Sequence, residues 1–205
     1  MPSGCGVHFF WDGIQITRGA GLNVAINTLG LWTDSVKAQW AITENTSHSF
    51  KCKVTFTNLP LYQIWNIYVE DEQTMNWQID TVTCEWLHID EFRIVCFLDP
   101  RYKTWFVNDR QSDFPRPDNS WRELYSGKGY VYLTGARFPT EGTLIPSFAL
   151  ENQDVNFYPL IQNPPSQDDS HLVGLRYIVP DKQMDYMPGL YHLFSGKIKL
   201  FADDG

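Results

Sequence analysis

Residues 81–107 read TVTCEWLHIDEFRIVCFLDPRYKTWFV, and their polar and apolar side chains alternate with the period of two that half-buried strands require. Val82, Cys84 and Trp86 share one side of an extended chain, with Thr83 and Glu85 on the other. After the polar break His88-Ile89-Asp90-Glu91 the pattern resumes at Phe92, Ile94, Cys96 and Leu98. A second break, Asp99-Pro100-Arg101-Tyr102-Lys103, leads into Trp105-Phe106-Val107. Short connections favour antiparallel pairing of successive strands, so the stretch predicts a three-stranded meander.

The same period recurs on both sides. Val7, Phe9 and Trp11 alternate up to Asp12-Gly13, and Ile14 and Ile16 follow, a pattern that predicts a tight hairpin. Leu22, Val24 and Ile26 predict a strand with Asn23 and Asn27 facing out, and Val36, Ala38, Trp40 and Ile42 predict another. Phe50, Cys52, Val54 and Phe56 interleave with Lys51, Lys53 and Thr55 in a two-faced strand, whereas Leu61 to Val69 is apolar on both faces and is expected between two layers. Downstream, Pro115 and Pro117 predict a loop over Phe114 to Asn119, and Ser120 with Glu123 has the spacing of a capping box for one or two helical turns. Tyr130 to Leu133 predicts a strand, Asn156 to Ser170 a second long loop, Leu172 to Val179 a strand, and Leu190 to Phe194 with Lys197 to Phe201 a hairpin turning at Ser195-Gly196. The expected fold is a single all-β domain over 1–205, an antiparallel β-sandwich or barrel with long loops and at most one or two short helical turns.

A chain of 205 residues is long enough to bury about 70% of its unfolded surface as one domain. Eight Trp and thirteen Phe supply the core. The net charge of −8 repels a phosphate backbone and speaks against nucleic acid as a partner. No apolar run has the 18 or so residues of a membrane-spanning helix, and no basic-then-apolar leader opens the chain. The small, turn-like Met1-Pro2-Ser3-Gly4 and the uncapped Ala202-Asp203-Asp204-Gly205 are what a domain cut from a longer polypeptide would show.

Catalytic and metal signatures are missing from the pattern. The cysteines Cys5, Cys52, Cys84 and Cys96 lack paired zinc spacing and are expected as buried free thiols, although a hairpin turning at Asp90 would set Cys84 beside Cys96. His8, His48, His88, His171 and His192 are scattered, and no serine sits in a nucleophile elbow. Glu70-Asp71-Glu72 lacks the loop that wraps calcium. The reading is of a protein that is not an enzyme and uses no cofactor or metal. Recognition is expected instead between Arg101 and Lys128, where six cations stand against four acids. Tyr102, Phe114 and Trp121 offer apolar ring faces there, and Asn108, Asp109, Arg110, Arg116 and Arg122 offer hydrogen bonds, the mixture that sugars need.

Three resemblances carry this further. Trp105-Phe106-Val107-Asn108-Asp109-Arg110 resembles the strand of galectins that ends in Val-Asn and a polar turn, though the galectin sugar motifs are absent. Gly13-Ile14-Gln15-Ile16, Gly21-Leu22-Asn23-Val24 and Leu29-Gly30-Leu31-Trp32-Thr33 are similar to the last shaft repeat and hinge of adenovirus fibres. Val7 to Gly13 and Asn156 to Leu160 resemble the projecting spike of small non-enveloped virus capsids, the avian astrovirus spike above all. The last resemblance implies a homodimeric module on the virion surface that attaches the particle to a host-cell receptor, glycan or protein. The other two imply a galectin-like lectin and a trimeric fibre head.

Overall fold

The computed structural model describes residues 6–127, 132–139, 145–154 and 156–201. In chain order the strands are β1 (Phe10–Trp11), β2 (Ile14–Gln15), β3 (Thr17–Thr28), β4 (Leu31–Asp34), β5 (Gln39–Asn45), β6 (Ser49–Thr55) and β7 (Leu61–Val69). There follow β8 (Thr74–Thr83), β9 (Leu87–His88), β10 (Glu91–Leu98), β11 (Thr104–Val107), β12 (Arg110–Asp113) and β13 (Arg122–Ser126). The last are β14 (Leu133–Arg137), β15 (Ser147–Asn152), β16 (Tyr158–Asn163), β17 (His171–Ile178), β18 (Asp185–Tyr186) and β19 (Gly189–Phe201). Among the described residues the helical structure is three single 3-10 turns.

Six strands form one sheet in the order β13-β16-β17-β10-β3-β4, and nine form another in the order β12-β11-β14-β15-β19-β8-β7-β6-β5. Every pairing is antiparallel. The two sheets share one core, to which Ile26, Ile94 and Leu175 come from the smaller sheet and Trp65, Ile79, Phe148 and Ile198 from the larger. This is the expected all-β sandwich. An aromatic chain crosses it: Trp40, Trp65, Trp77 and Phe194 meet edge to face at 5.0, 5.1 and 5.6 Å, and Phe194 meets Phe157 at 5.4 Å. Burying each ring contributes several kcal/mol at roughly 25 cal/mol per Å².

The stretch 81–107 builds both layers and forms no meander. β8 lies between β7 and β19 in the larger sheet, β10 crosses to the smaller sheet between β3 and β17, and β11 returns to the larger beside β12 and β14. Phe92, Ile94, Cys96 and Leu98 are buried as the period predicts, but at the end of β8 the phase is inverted. Thr81 and Thr83 are buried while Cys84 and Trp86 are exposed, because the Thr83 hydroxyl donates to the Met187 carbonyl at 2.5 Å and Thr81 accepts from Gln63 at 3.4 Å. Without the hairpin at Asp90, Cys84 is an exposed free thiol and Cys96 a buried one; Cys52 is also buried and free, and Cys5 lies outside the described residues.

Other departures have local causes. Asp12 and Gly13 both take positive φ, and β1 and β2 pair across them as expected. Val36 falls in a 3-10 turn capped by Asp34. β7 is buried on one face only, through Leu61, Gln63, Trp65 and Ile67, and Gln63 is satisfied there by the Trp65 indole at 3.0 Å. Asn23 faces away from the core yet is buried, because Ser35 donates to its carbonyl oxygen from both N and Oγ. Ser120 and Glu123 start no helix; Arg122–Ser126 is the edge strand β13. The supposed loop after Asn156 holds β16, whose Pro159 is tolerated because it lies beyond the stretch paired with β13. Ser195-Gly196 is no turn but the middle of β19, where a side chain on Gly196 would strike the Glu151 carbonyl across the sheet. Gly127-Lys128-Gly129 and Tyr130-Val131 lie wholly or partly outside the described residues.

All four outer strands are blunted. β4 has four residues, β12 exposes Arg110, Gln111, Ser112 and Asp113, and β5 and β13 carry register shifts at Ile42/Glu44 and Glu123/Tyr125.

Candidate binding site

The predicted recognition stretch is divided between the two sheets. Tyr102 is fully buried, donates its hydroxyl to the Pro146 carbonyl at 2.9 Å and meets Phe138 edge to face at 5.3 Å, so it faces no ligand. Burial pushes its phenol well above the usual range. Asn108 adopts the left-handed region at φ 50° and accepts the Tyr132 and Leu133 amides at 3.2 Å, which makes it a turn-former. Asp109 and Arg110 are exposed at the tip of the β11–β12 hairpin on the rim of the larger sheet. Phe114 is stacked on His171 at 3.9 Å. Arg116 lies on the exposed crossing loop, and Trp121 and Arg122 stand at the entry to β13, on the rim of the smaller sheet. Of these eight, Trp121 lines the cleft described next.

That cleft, of about 410 Å³, lies on the outer face of the six-stranded sheet. Because β3 and β10 point Leu22, Val24, Ile26, Ile94 and Cys96 inward, Asn23, Ala25, Arg93, Val95 and Phe97 must point out, and the register sets Asn23 beside Val95 and Ala25 beside Arg93. Ala25, Val95, Phe97 and Leu172 form an apolar floor. Trp32 from β4 and Trp121 wall it, 44% and 54% exposed, and Trp121 meets Phe97 edge to face at 6.4 Å. Arg93 lies 4.1 Å over the Trp32 ring and is held by Glu91, to which its Nε donates at 2.8 Å. The sequence carried a signal for this face. β10, β16 and β17 have apolar runs on both faces, and Val95, Leu160 and Leu172, with Phe97 packed against them, form a second small cluster outside the main core.

Hydrogen-bonding capacity in the cleft is only partly used. The Asn23 carbonyl oxygen is occupied by Ser35, while its amide nitrogen, the Gln162 amide and the terminal nitrogens of Arg93 make no hydrogen bond to a described residue. Asp34 adds a carboxylate that caps the following turn through Lys37 N at 3.2 Å. Two flat indoles with amide, guanidinium and carboxylate groups between them suit a ligand with both C–H faces and hydroxyls.

The scattered histidines find partners through the fold. His192 Nδ1 meets Asp80 at 2.9 Å and its Nε2 meets Ser195 Oγ at 2.8 Å, the connectivity of a serine triad that sequence spacing gave no hint of. The trio spans the register shift between His192 and Phe194 on an open sheet face, with His192 half exposed, and Ser195 does not line the neighbouring cavity. The His192–Asp80 contact ties β19 to β8 across the sheet. His88 bridges Asp185 and Asp90, and hydrogen bonding to Asp185 raises its pKa. His171 is buried, takes Asn163 at 2.8 Å, and is pushed down to about 4 by burial and by the charge of Lys103. Asp99 is buried between Arg18 and Arg101; burial alone would raise its pKa, but hydrogen bonds and charge from Arg101, with the charge of Arg18, hold it below the usual range. Glu70 pairs with Lys197 at 2.7 Å. Among the described residues no three His, Cys, Asp or Glu side chains gather as a metal site, and no helix is long and apolar enough to cross a membrane.

No protein-family model matches the chain, and no curated protein matches its sequence. Among solved structures it is similar to the α-N-acetylgalactosaminidase NagBb from Bifidobacterium bifidum in complex with GalNAc, with a TM-score of 0.57 and 13% identity. The likeness covers 97% of this chain and 33% of that one, so the chain spans about a third of that protein's length. At this identity the likeness concerns the β-sandwich alone.

Proposed function

We propose that this domain is a non-enzymatic carbohydrate-recognition module that binds a glycan between Trp32 and Trp121. The observation that carries the reading is the cleft itself: two exposed indoles over an apolar floor, with Asn23, Gln162 and Arg93 holding unused donors. Sugar C–H faces stack on the indoles, hydroxyls take the amides, and the Arg93 guanidinium accommodates a ring carboxylate. The sandwich shared with a structure that holds GalNAc makes that sugar the first probe, on fold analogy alone.

The same cleft serves the capsid-spike resemblance, in which the receptor on the host cell is a glycan and the module stands on the virion surface as a homodimer. Solution mass by light scattering assigns the setting. A dimer of the 23.8 kDa chain supports the spike, a trimer the fibre head and a monomer the galectin-like lectin. The binding reading is tested on a glycan array: the protein retains at least one glycan class, and Trp32→Ala and Trp121→Ala each weaken retention tenfold or more at unchanged melting temperature. Retention unaffected by both substitutions removes the cleft as the site.

A further inference from the structure

A second cavity, of about 450 Å³, opens where β19 and β17 approach the β9–β18 ribbon. Its aromatic lining is Phe92, Tyr177, Tyr186 and Tyr191, and its described lining residues include Asp154 and Asp185 but no Lys or Arg. The rings stand as walls: Phe92 and Tyr186 meet at 86° with centroids 6.0 Å apart, and Tyr186 and Tyr191 at 74° and 5.0 Å. Two of the phenols are tied back, Tyr177 donating to Gln183 Oε1 at 3.2 Å and Tyr191 to the Met187 carbonyl at 2.9 Å. These bonds fix the ring planes and occupy the hydroxyl protons.

The polar groups here differ from those of the tryptophan cleft. The Asn156 side-chain amide is spent on Asp154 Oδ1 at 2.9 Å, the Gln183 carbonyl oxygen is taken by Tyr177, and both ring nitrogens of His192 are engaged by Asp80 and Ser195. What remains are the Gln183 amide nitrogen, the Tyr186 hydroxyl and two carboxylate oxygens. Asp154 Oδ2 and Asp185 Oδ2 make no hydrogen bond to a described residue, since Asp185 meets His88 through Oδ1. An aromatic box with the Asp154 carboxylate and the outer oxygen of the His88-paired Asp185 at its rim attracts a cation through the negative faces of its rings, and most strongly a poorly hydrated one.

We infer that this tyrosine-lined cavity binds a small quaternary-ammonium ligand of the choline type, at a site separate from the glycan cleft. The test is titration of the intact chain with choline and tetramethylammonium, followed by calorimetry or by shifts of the tyrosine ring signals in NMR. The control is 3,3-dimethylbutan-1-ol, which has choline's shape with carbon in place of nitrogen. Saturable binding of both cations, at least tenfold weaker binding of the neutral analogue, and a further several-fold loss in Asp154→Asn and Asp185→Asn are expected. Tyr186→Ala abolishes binding, while Trp121→Ala leaves it unchanged. Equal binding of the neutral analogue shows a merely apolar pocket and overturns the inference, as does the absence of saturable binding by either cation. Those two outcomes use the unsubstituted protein and do not depend on the folding of any variant.

Discussion

The outer faces of the two sheets obey different rules. On the nine-stranded sheet, Lys51 and Lys53 on β6, Gln78 on β8, and Lys197 and Lys199 on β19 point to solvent between buried neighbours, and Lys197 and Lys199 pair with Glu70 and Glu151. On the six-stranded sheet, Val95, Leu160 and Leu172 are buried outside the core, and Trp32 and Trp121 wall a cleft over Val95 and Leu172. A sheet that only closes a core needs one apolar face. The second apolar face here is the one on which the proposed glycan cleft lies.

The sharpest test of the difference is acid. His171, on the smaller sheet, is neutral in its buried site at about 4 against an ordinary 6.5, so the unfolded chain takes up a proton first as pH falls. Its contribution is therefore complete above about pH 6.5 and is lost as pH drops toward 4, a cost of at most about 3 kcal/mol. Urea unfolding at several pH values measures the slope, which is expected to flatten in His171→Gln. Next is a swap between faces: Val95→Gln places an unpartnered amide on the smaller sheet and costs about 2 kcal/mol, whereas Gln78→Val on the larger stays within about 0.5 kcal/mol. Equal effects would erase the distinction drawn between the faces. Third, Gln162→Ala weakens glycan retention several-fold by removing one donor, and Lys199→Ala on the opposite face leaves it unchanged. The smallest effect is expected at His88, whose raised pKa has the opposite sign. Its pairing with Asp185 and Asp90 stabilises the β9–β18 ribbon below its ordinary pKa and is lost as pH rises through the raised value. Amide exchange at Ile89, which donates to the Met184 carbonyl, reports it as slower exchange on the acid side once the intrinsic rate is divided out.

Much of the architecture was legible because alternation is a local property. β3, β6, β10 and β17 lie where the period of two places them. Partner choice was not legible, since whether β10 folds back on β8 or crosses to the other sheet depends on contacts with Ala25 and Gly174, distant in sequence. Ser195-Gly196 misled because a serine-glycine pair reads as a turn, while here glycine is demanded by a neighbouring carbonyl within a strand. Of the candidate site, Trp121 was found through its loop. Trp32 and Arg93 were missed because the first stood in a hinge-like motif and the second inside a strand, and only the sheet brings them within 4.1 Å.

The blunted outer strands bear on how copies of this domain meet. With Arg110 to Asp113 polar and exposed, β4 only four residues long, and β5 and β13 each interrupted by a register shift, the outer strands are poor templates for a main-chain ladder that continues into a neighbouring molecule. Such edges leave contact between copies to side chains on faces and loops. Its specificity is then editable one residue at a time, so copies can be separated, or a new partner selected, while the sandwich inside each stays as it is.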